Sequence, residues 1–136
     1  MDDRTFTVEV IESTGDYVEL MKSIFDFGKL KKLISGDETR PPFKVLIDSM
    51  NGGNATCDLK YRHYFILLPV TGIYVRHIFL DELHAHEKNV TRIIPLDNFG
   101  EIHPDPNLTY AKDLVDKIRD DLSYDLGAAF DGDGVS

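Results

Sequence analysis

Tryptophan is absent and cysteine occurs once, at Cys57. A single thiol excludes an internal disulfide and a Cys-based zinc site, and it suits a reducing cytosol. Basic residues are in short supply: 15 Lys and Arg stand against 24 Asp and Glu, for a formal net charge of -9. No basic stripe with interleaved aromatics is visible, so neither nucleic acid nor an anionic membrane surface is an expected partner. Lys60-Tyr61-Arg62-His63-Tyr64 is too short a basic-aromatic patch to change that in an acidic protein. Long hydrophobic runs are also missing. The most apolar run, Tyr64 to Val75, contains Pro69 and Gly72 and falls well short of the roughly 20 residues a bilayer span needs. Met1-Asp2-Asp3-Arg4 opens no apolar leader, so no signal peptide is expected. With a cytoplasmic location expected, the sequons at Asn54, Asn89 and Asn107 read as coincidence. There is no Walker loop, no dinucleotide fingerprint and no internal repeat.

What is present is organised around Asp125-Leu126-Gly127-Ala128-Ala129-Phe130-Asp131-Gly132-Asp133-Gly134. A short apolar run of small residues breaks abruptly into alternating acid and glycine. It reads as a buried, tightly packed strand that carries two carboxylates to its C-terminal edge, where ligands sit in open α/β sheets. Glycines there permit positive φ, which lets Asp131 and Asp133 turn toward one point. Two convergent carboxylates suit a hard divalent cation, Mg²⁺ above Zn²⁺. A solvated Asp-Gly turn is the competing reading of the same residues.

Alternation over Thr5 to Ile11 predicts a first strand. Ser13 and Thr14 offer an N-cap, and Tyr17, Leu20, Met21, Ile24 and Phe25 recur at helical spacing. A second short helix carries Leu30, Leu33 and Ile34 to Ser35-Gly36. Phe43 to Asp48 is a strand, Thr71 to His84 a helix and Val90 to Pro95 a third strand. Asn107 is expected to cap a helix whose apolar stripe is Leu108, Ala111, Leu114, Val115, Ile118 and Leu122. The acidic stretch supplies the fourth strand. Alternating strands and helices predict a layered α/β fold, a mixed or parallel four-stranded main sheet flanked by helices. Gly53 to Pro69 fits none of this, because βα connections rarely exceed about six residues.

The residues now carry a resemblance. Phe6 to Ile11, Ser23-Ile24-Phe25-Asp26-Phe27, Ile47-Asp48-Ser49-Met50-Asn51-Gly52, His103-Pro104-Asp105-Pro106-Asn107-Leu108-Thr109-Tyr110 and Gly127 to Gly134 closely resemble the phosphoglucomutases of the α-D-phosphohexomutase superfamily. The match is to the second of four domains, over residues 5–134 apart from 53–69. It implies an enzyme interconverting glucose 1-phosphate and glucose 6-phosphate through a phosphoserine and glucose 1,6-bisphosphate, with Mg²⁺. Asp131 and Asp133 match the first two of the family's three metal-binding aspartates. The third Asp and an Arg should follow Gly134, where Val135-Ser136 stand. The serine loop, Thr-Ala-Ser-His-Asn-Pro in the family, belongs to the preceding domain. The resemblance therefore implies a truncated single α/β domain (residues 1–136) that relies on the other domains of its parent chain and is inactive alone. A non-catalytic phosphoglucomutase-like interaction protein is the alternative.

Residues 53–69 and 135–136 read as translated intron. Gly53-Asn54 can be spelled with a splice donor, Pro69-Val70 with an acceptor and Val135-Ser136 with a second donor. Other candidates have plainer readings. His103 is a possible acid–base, though its proline-rich loop favours a shape-fixing role. His84 and His86 with Glu82 and Glu87 match no zinc spacing and read as a solvated helix end. Asp113, Asp116, Asp120 and Asp121 read as a solvated helix face. Cys57 has no base partner.

Overall fold

The computed structural model describes Thr7 and residues 13–52, 71–96 and 98–132. The expected first strand (Thr7 apart), the segment 53–69 and Asp133 lie outside the described residues. Helix α1 spans Ser13–Ile24 and α2 spans Phe27–Ser35, close to the two helices expected. Asp26 makes the break between them. Its carboxylate accepts the Lys29 N–H at 3.0 Å, capping α2. That hydrogen bond, reinforced by the Lys29 ammonium, holds the Asp26 carboxyl below its ordinary pKa. Gly36 closes α2 in the left-handed region, φ 73°, with its N–H on the Lys32 carbonyl at 2.9 Å.

Strand β1, Val45–Asp48, is buried at every residue, as a central parallel strand covered on both faces must be. It pairs in parallel with β2, Val90–Thr91, through Ile47 to Val90, and with β3, Leu126–Ala129, through Val45 to Leu126. The sheet among the described residues thus has three strands, ordered β2-β1-β3, where four were expected.

Between β1 and β2 runs α3, Thr71–Val75, which continues as a π-helix over Arg76–Glu82. The uniform helix expected to His84 is therefore corrected: the Leu83 N–H reaches back five residues to the Ile78 carbonyl at 2.9 Å. Val75 packs on Val45 and Ile47, with Phe79, Ile93, Ala128 and Phe130 around them. On the opposite face lies α4, Lys112–Asp120, which starts four residues later than expected. Asn107 caps only the preceding turn, accepting the N–H groups of Thr109 and Tyr110 at 2.8 and 3.1 Å. Strand β3 approaches α4 so closely that a Cβ on Gly127 would lie 1.9 Å from Ile118 Cδ1. The expected tight packing is met at this contact, but the expected burial is corrected: Leu126 is half exposed and Gly127, Ala128 and Ala129 are only half-buried.

The two predicted apolar stripes are only partly buried. In α1 the buried apolar residue is Val18, which lies outside the expected stripe; of that stripe Met21 is half-buried, whereas Leu20, Ile24 and, just past the helix, Phe25 are each more than half exposed. The reason is layering: α1 rests mainly on α3 and the π-helix, with an edge-on Tyr17–Tyr74 contact at 4.9 Å. Lys22 ties it down by a 2.6 Å ion pair with Glu82, which raises the Lys22 pKa and lowers that of Glu82. In α4, Ala111 and Leu114 are buried but Leu108 and Leu122 lie beyond the helix ends and are exposed. No helix among the described residues is long and apolar enough to cross a membrane.

Candidate functional site

All three strands end on one edge, and the groups with chemistry gather there. Past β3 the ladder continues, with the Phe130 N–H on the Asp48 carbonyl at 2.9 Å, so Asp131 emerges half-buried at the carboxyl edge. This is where the sequence put it. Its expected companion Asp133 lies outside the described residues. Among the described residues no three His, Cys, Asp or Glu side chains form a group that could hold a metal.

Asp48, at the end of β1, is a second carboxylate on this edge, and it is already engaged. Its oxygens accept Arg92 Nε at 2.7 Å, Arg92 Nη2, and the Met50 N–H at 2.9 Å. The Asp48 side chain is 1% exposed and that of Arg92 18%. Hydrogen bonding to Asp48 raises the Arg92 pKa further above its ordinary value. A fork-to-fork pair of this kind is strong and directional. It fastens the exit of β2 to the exit of β1. Beside it, Ser49 Oγ is buried with no hydrogen-bond partner among the described residues.

The backbone on this edge is strained. Among the described residues seven non-glycine residues have positive φ, and six of them, Met50, Asn51, Arg92, Asn98, Phe99 and Glu101, lie in the loops at the strand exits. Such conformations persist only where surrounding contacts enforce them, and they concentrate at functional sites. Arg92 at φ 50° turns out of the β ladder to reach Asp48, which is why β2 stops at Thr91 instead of running to Pro95.

The loop from Asn98 to Tyr110 covers the Asp131 exit. A Cβ on Gly132 would lie 2.6 Å from Phe99 Cε1 and 3.2 Å from Pro104 Cγ. Gly132 is not among the residues with positive φ. The expectation that glycine serves backbone freedom there is therefore corrected: what Gly132 supplies is space. His103 stacks on Tyr110 with ring centroids 5.1 Å apart, and Asp105 accepts Asn107 Nδ2 at 2.7 Å. These contacts fix the loop's shape, in line with the plainer reading of His103. At the other end of the sheet, His86 Nδ1 accepts the Lys88 N–H at 3.1 Å and caps a 3₁₀ turn. Asp116 pairs with Lys112 and Arg119, as a solvated helix face would.

The chain is 52% identical over 131 residues, 96% of its length, to phosphoglucomutase 1 of Drosophila melanogaster. The chain is homologous to phosphoglucomutase. It is also 41% identical over 131 residues to human phosphoglucomutase-1 and 40% over 129 residues to the chloroplastic phosphoglucomutase of Solanum tuberosum. These matches cover 96% and 95% of the chain. It spans about a fifth of the length of these relatives: 20%, 20% and 17%. A solved structure of parafusin, an exocytosis-sensitive phosphoprotein (phosphoglucomutase) of Paramecium in its open form, superposes with a TM-score of 0.72. That likeness has 33% identity and covers 98% of this chain and 21% of the other. No protein-family model matches the chain.

Sequence reasoning did not single out Asp48, Arg92 or Phe99. The only signal for the pair is an acid closing an apolar strand, Val45-Leu46-Ile47-Asp48, and an arginine closing the next, Val90-Thr91-Arg92. Phe99 carries no such signal.

Proposed function

We propose that this chain supplies the carboxylate side of a phosphoglucomutase site. The substrate is a hexose phosphate, with glucose 1-phosphate and glucose 6-phosphate exchanged through a phosphoserine and glucose 1,6-bisphosphate contributed elsewhere. Asp131 and Asp133 hold Mg²⁺; an oxygen-only donor set suits that ion, and Asp48 is left out of the set because Arg92 and the Met50 N–H already engage both of its oxygens. Bound Mg²⁺ supplies charge neutralisation for the phosphoryl oxygens. The chain's own residues bring Asp131 to the sheet edge and hold it there. The observation that carries the reading is the 52% identity over nearly the whole chain. It is supported by β3 delivering Asp131 to the carboxyl edge of a parallel sheet. Residues 1–136 form one α/β domain of a cytoplasmic enzyme, which works with the other domains of the full-length protein. Residues 53–69 are an insertion into the β1–α3 connection.

Phosphoryl transfer is almost wholly positioning and charge stabilisation, and a polypeptide a fifth as long as its relatives carries only part of that apparatus. The 136-residue chain by itself is therefore expected to show no turnover in a coupled mutase assay. It should bind Mg²⁺ weakly, in the millimolar range or worse, and lose that binding in Asp131→Ala. Turnover above blank that Asp131→Ala abolishes would overturn the first expectation. Metal binding indifferent to Asp131→Ala would reduce the acidic loop to a turn.

A second reading, a non-catalytic interaction protein, is favoured by the exposed line of Leu20 and Ile24 on α1 with Phe25 just past its end. The parafusin likeness fits it too, since that protein is described as an exocytosis-sensitive phosphoprotein. The readings separate by variant: metal binding depends on Asp131, whereas association would depend on Leu20 and Ile24.

A further inference from the structure

In a chain with 24 acids against 15 bases, one short stretch reverses the sign. Helix α2 carries Lys29, Lys31 and Lys32 and no acid. Lys29 is engaged locally by Asp26 at 3.2 Å, but among the described residues Lys31 and Lys32 form no ion pair, and Lys32 is exposed. The apolar edge that leads into this helix is uncovered too: Ile24 ends α1 at 59% exposure, and Phe25 follows it. The junction of the two helices thus presents an apolar step and, directly after it, uncancelled positive charge.

The complementary composition stands where α4 passes into β3. Leu122 is 87% exposed and Leu126 half exposed. Around them come Asp120, Asp121 and Asp125, all exposed, with Arg119 the one cation of the segment 119–126. Asp121 and Asp125 accept the Ser123 and Lys44 N–H groups at 3.0 and 2.8 Å, whereas Asp120 forms no ion pair among the described residues.

We propose that these two patches are the halves of one interface and that the partner is a second copy of this chain. The Ile24–Phe25–Lys32 patch of one copy meets the Asp120–Leu122–Leu126 patch of the next. Charge complementarity selects that partner: each patch repels its own kind, and each sets an apolar anchor beside charge of the sign that the other needs. Because two different patches meet, the contact is head-to-tail and can repeat from copy to copy. Exposed charge pairs are individually weak, so Ile24 and Leu122 supply most of the affinity while the charges choose the partner and its orientation. The inference rests on the interaction surface of α1 named above and adds the partner that fits it.

The test is sedimentation velocity of the 136-residue chain over a concentration series, with circular dichroism to check the fold of each variant. The unaltered chain is expected to associate reversibly and to dissociate as salt is raised toward 1 M, where the screening length falls to about 3 Å. Association through the apolar run at 64–68 alone would persist at that salt. Lys32→Glu and Asp120→Lys are each expected to weaken association about tenfold, since each sets like charges against one another. An equimolar mixture of these two variants is expected to recover it, because the reversed patches again face opposite signs. Leu122→Ser, at a side chain the fold leaves exposed, should also weaken association about tenfold, and it carries the comparison should a charge-reversed variant fail to fold. Association indifferent to Leu122→Ser, or a mixture no more associated than its two components, would overturn the self-contact. A monomeric unaltered chain at every concentration would overturn it too, while the interaction reading would stand, since an unrelated partner would still depend on Leu20 and Ile24.

Discussion

Replacing Arg92 with Met is expected to destabilise the chain by about 3–5 kcal/mol, the cost of stranding a buried charge without its partner. Domains are stable by only roughly 5–15 kcal/mol in total, so this single change approaches the whole margin. The asymmetry of burial sets the direction. Asp48 is the member with no route to water, at 1% side-chain exposure against 18% for Arg92. Met keeps the aliphatic length of the arginine stem, so the loss is one of charge pairing and not of packing. Asp48→Asn should cost less, about 1–3 kcal/mol, because an amide oxygen can still accept the Met50 N–H and one Arg92 donor, while Arg92 is partly solvated. The double variant should be more stable than Arg92→Met alone, since the second change removes the stranded charge. Urea denaturation followed by circular dichroism, compared at similar slopes, measures all three. A loss within about 1 kcal/mol for Arg92→Met, the worth of an exposed pair, would show that Asp48 finds another partner.

The same pair marks the limit of what the sequence discloses. Strands β1 and β3 are legible because each is a short apolar run bounded by polar punctuation, although only β1 is buried at every residue. The placement of Asp131 follows directly, since a strand that ends in acid must deliver it to the sheet edge. The end of β2 does not follow. Val90 to Pro95 looks like a full strand locally, and only a partner 44 positions away, Asp48, turns Arg92 out of the ladder. Helices α1 and α2 are legible for their capping and periodicity. Periodicity reports an apolar side, however, and not what covers it. Leu20 and Ile24 keep helical spacing with Tyr17 yet stay exposed, because α1 packs one layer removed from the sheet. The π-helix after Val75 has no compositional mark at all. In the covering loop, Asn98 and Gly100 are residues that favour a left-handed turn, but nothing in Phe99 or Glu101 anticipates joining it.

Excising residues 53–69 is expected to leave the fold intact and to raise its stability. The Gly72 N–H bonds the Gly52 carbonyl at 3.3 Å, so the chain leaves the strand and enters the helix at one place. After excision the sequence there reads Gly52-Val70-Thr71-Gly72, and the same two groups become the first and fourth residues of a β-turn with its closing hydrogen bond already formed. Both sides of the joint are anchored by contacts that owe nothing to the excised residues. On the strand side, the Ser49 and Asn51 N–H groups bond the Thr91 and Arg92 carbonyls at 3.1 and 2.8 Å. On the helix side, Gly72 sits so close to β2's exit that a Cβ would lie 2.2 Å from the Ile93 carbonyl oxygen, and Val75 is part of the core. Shortening the connection to two residues lowers the entropic cost of closing it by roughly 2 kcal/mol. It also removes Tyr64-Phe65-Ile66-Leu67-Leu68, an uncharged, β-prone run of the kind that seeds aggregation. The excised variant should therefore keep the circular dichroism of the parent, unfold at higher urea and stay monodisperse at concentrations where the parent does not. If the excised variant unfolds at lower urea instead, residues 53–69 contribute to the fold and are a genuine insertion. Genomic codons at 53–54 and 69–70 that cannot spell a donor and an acceptor would reject the intron origin independently of the stability result.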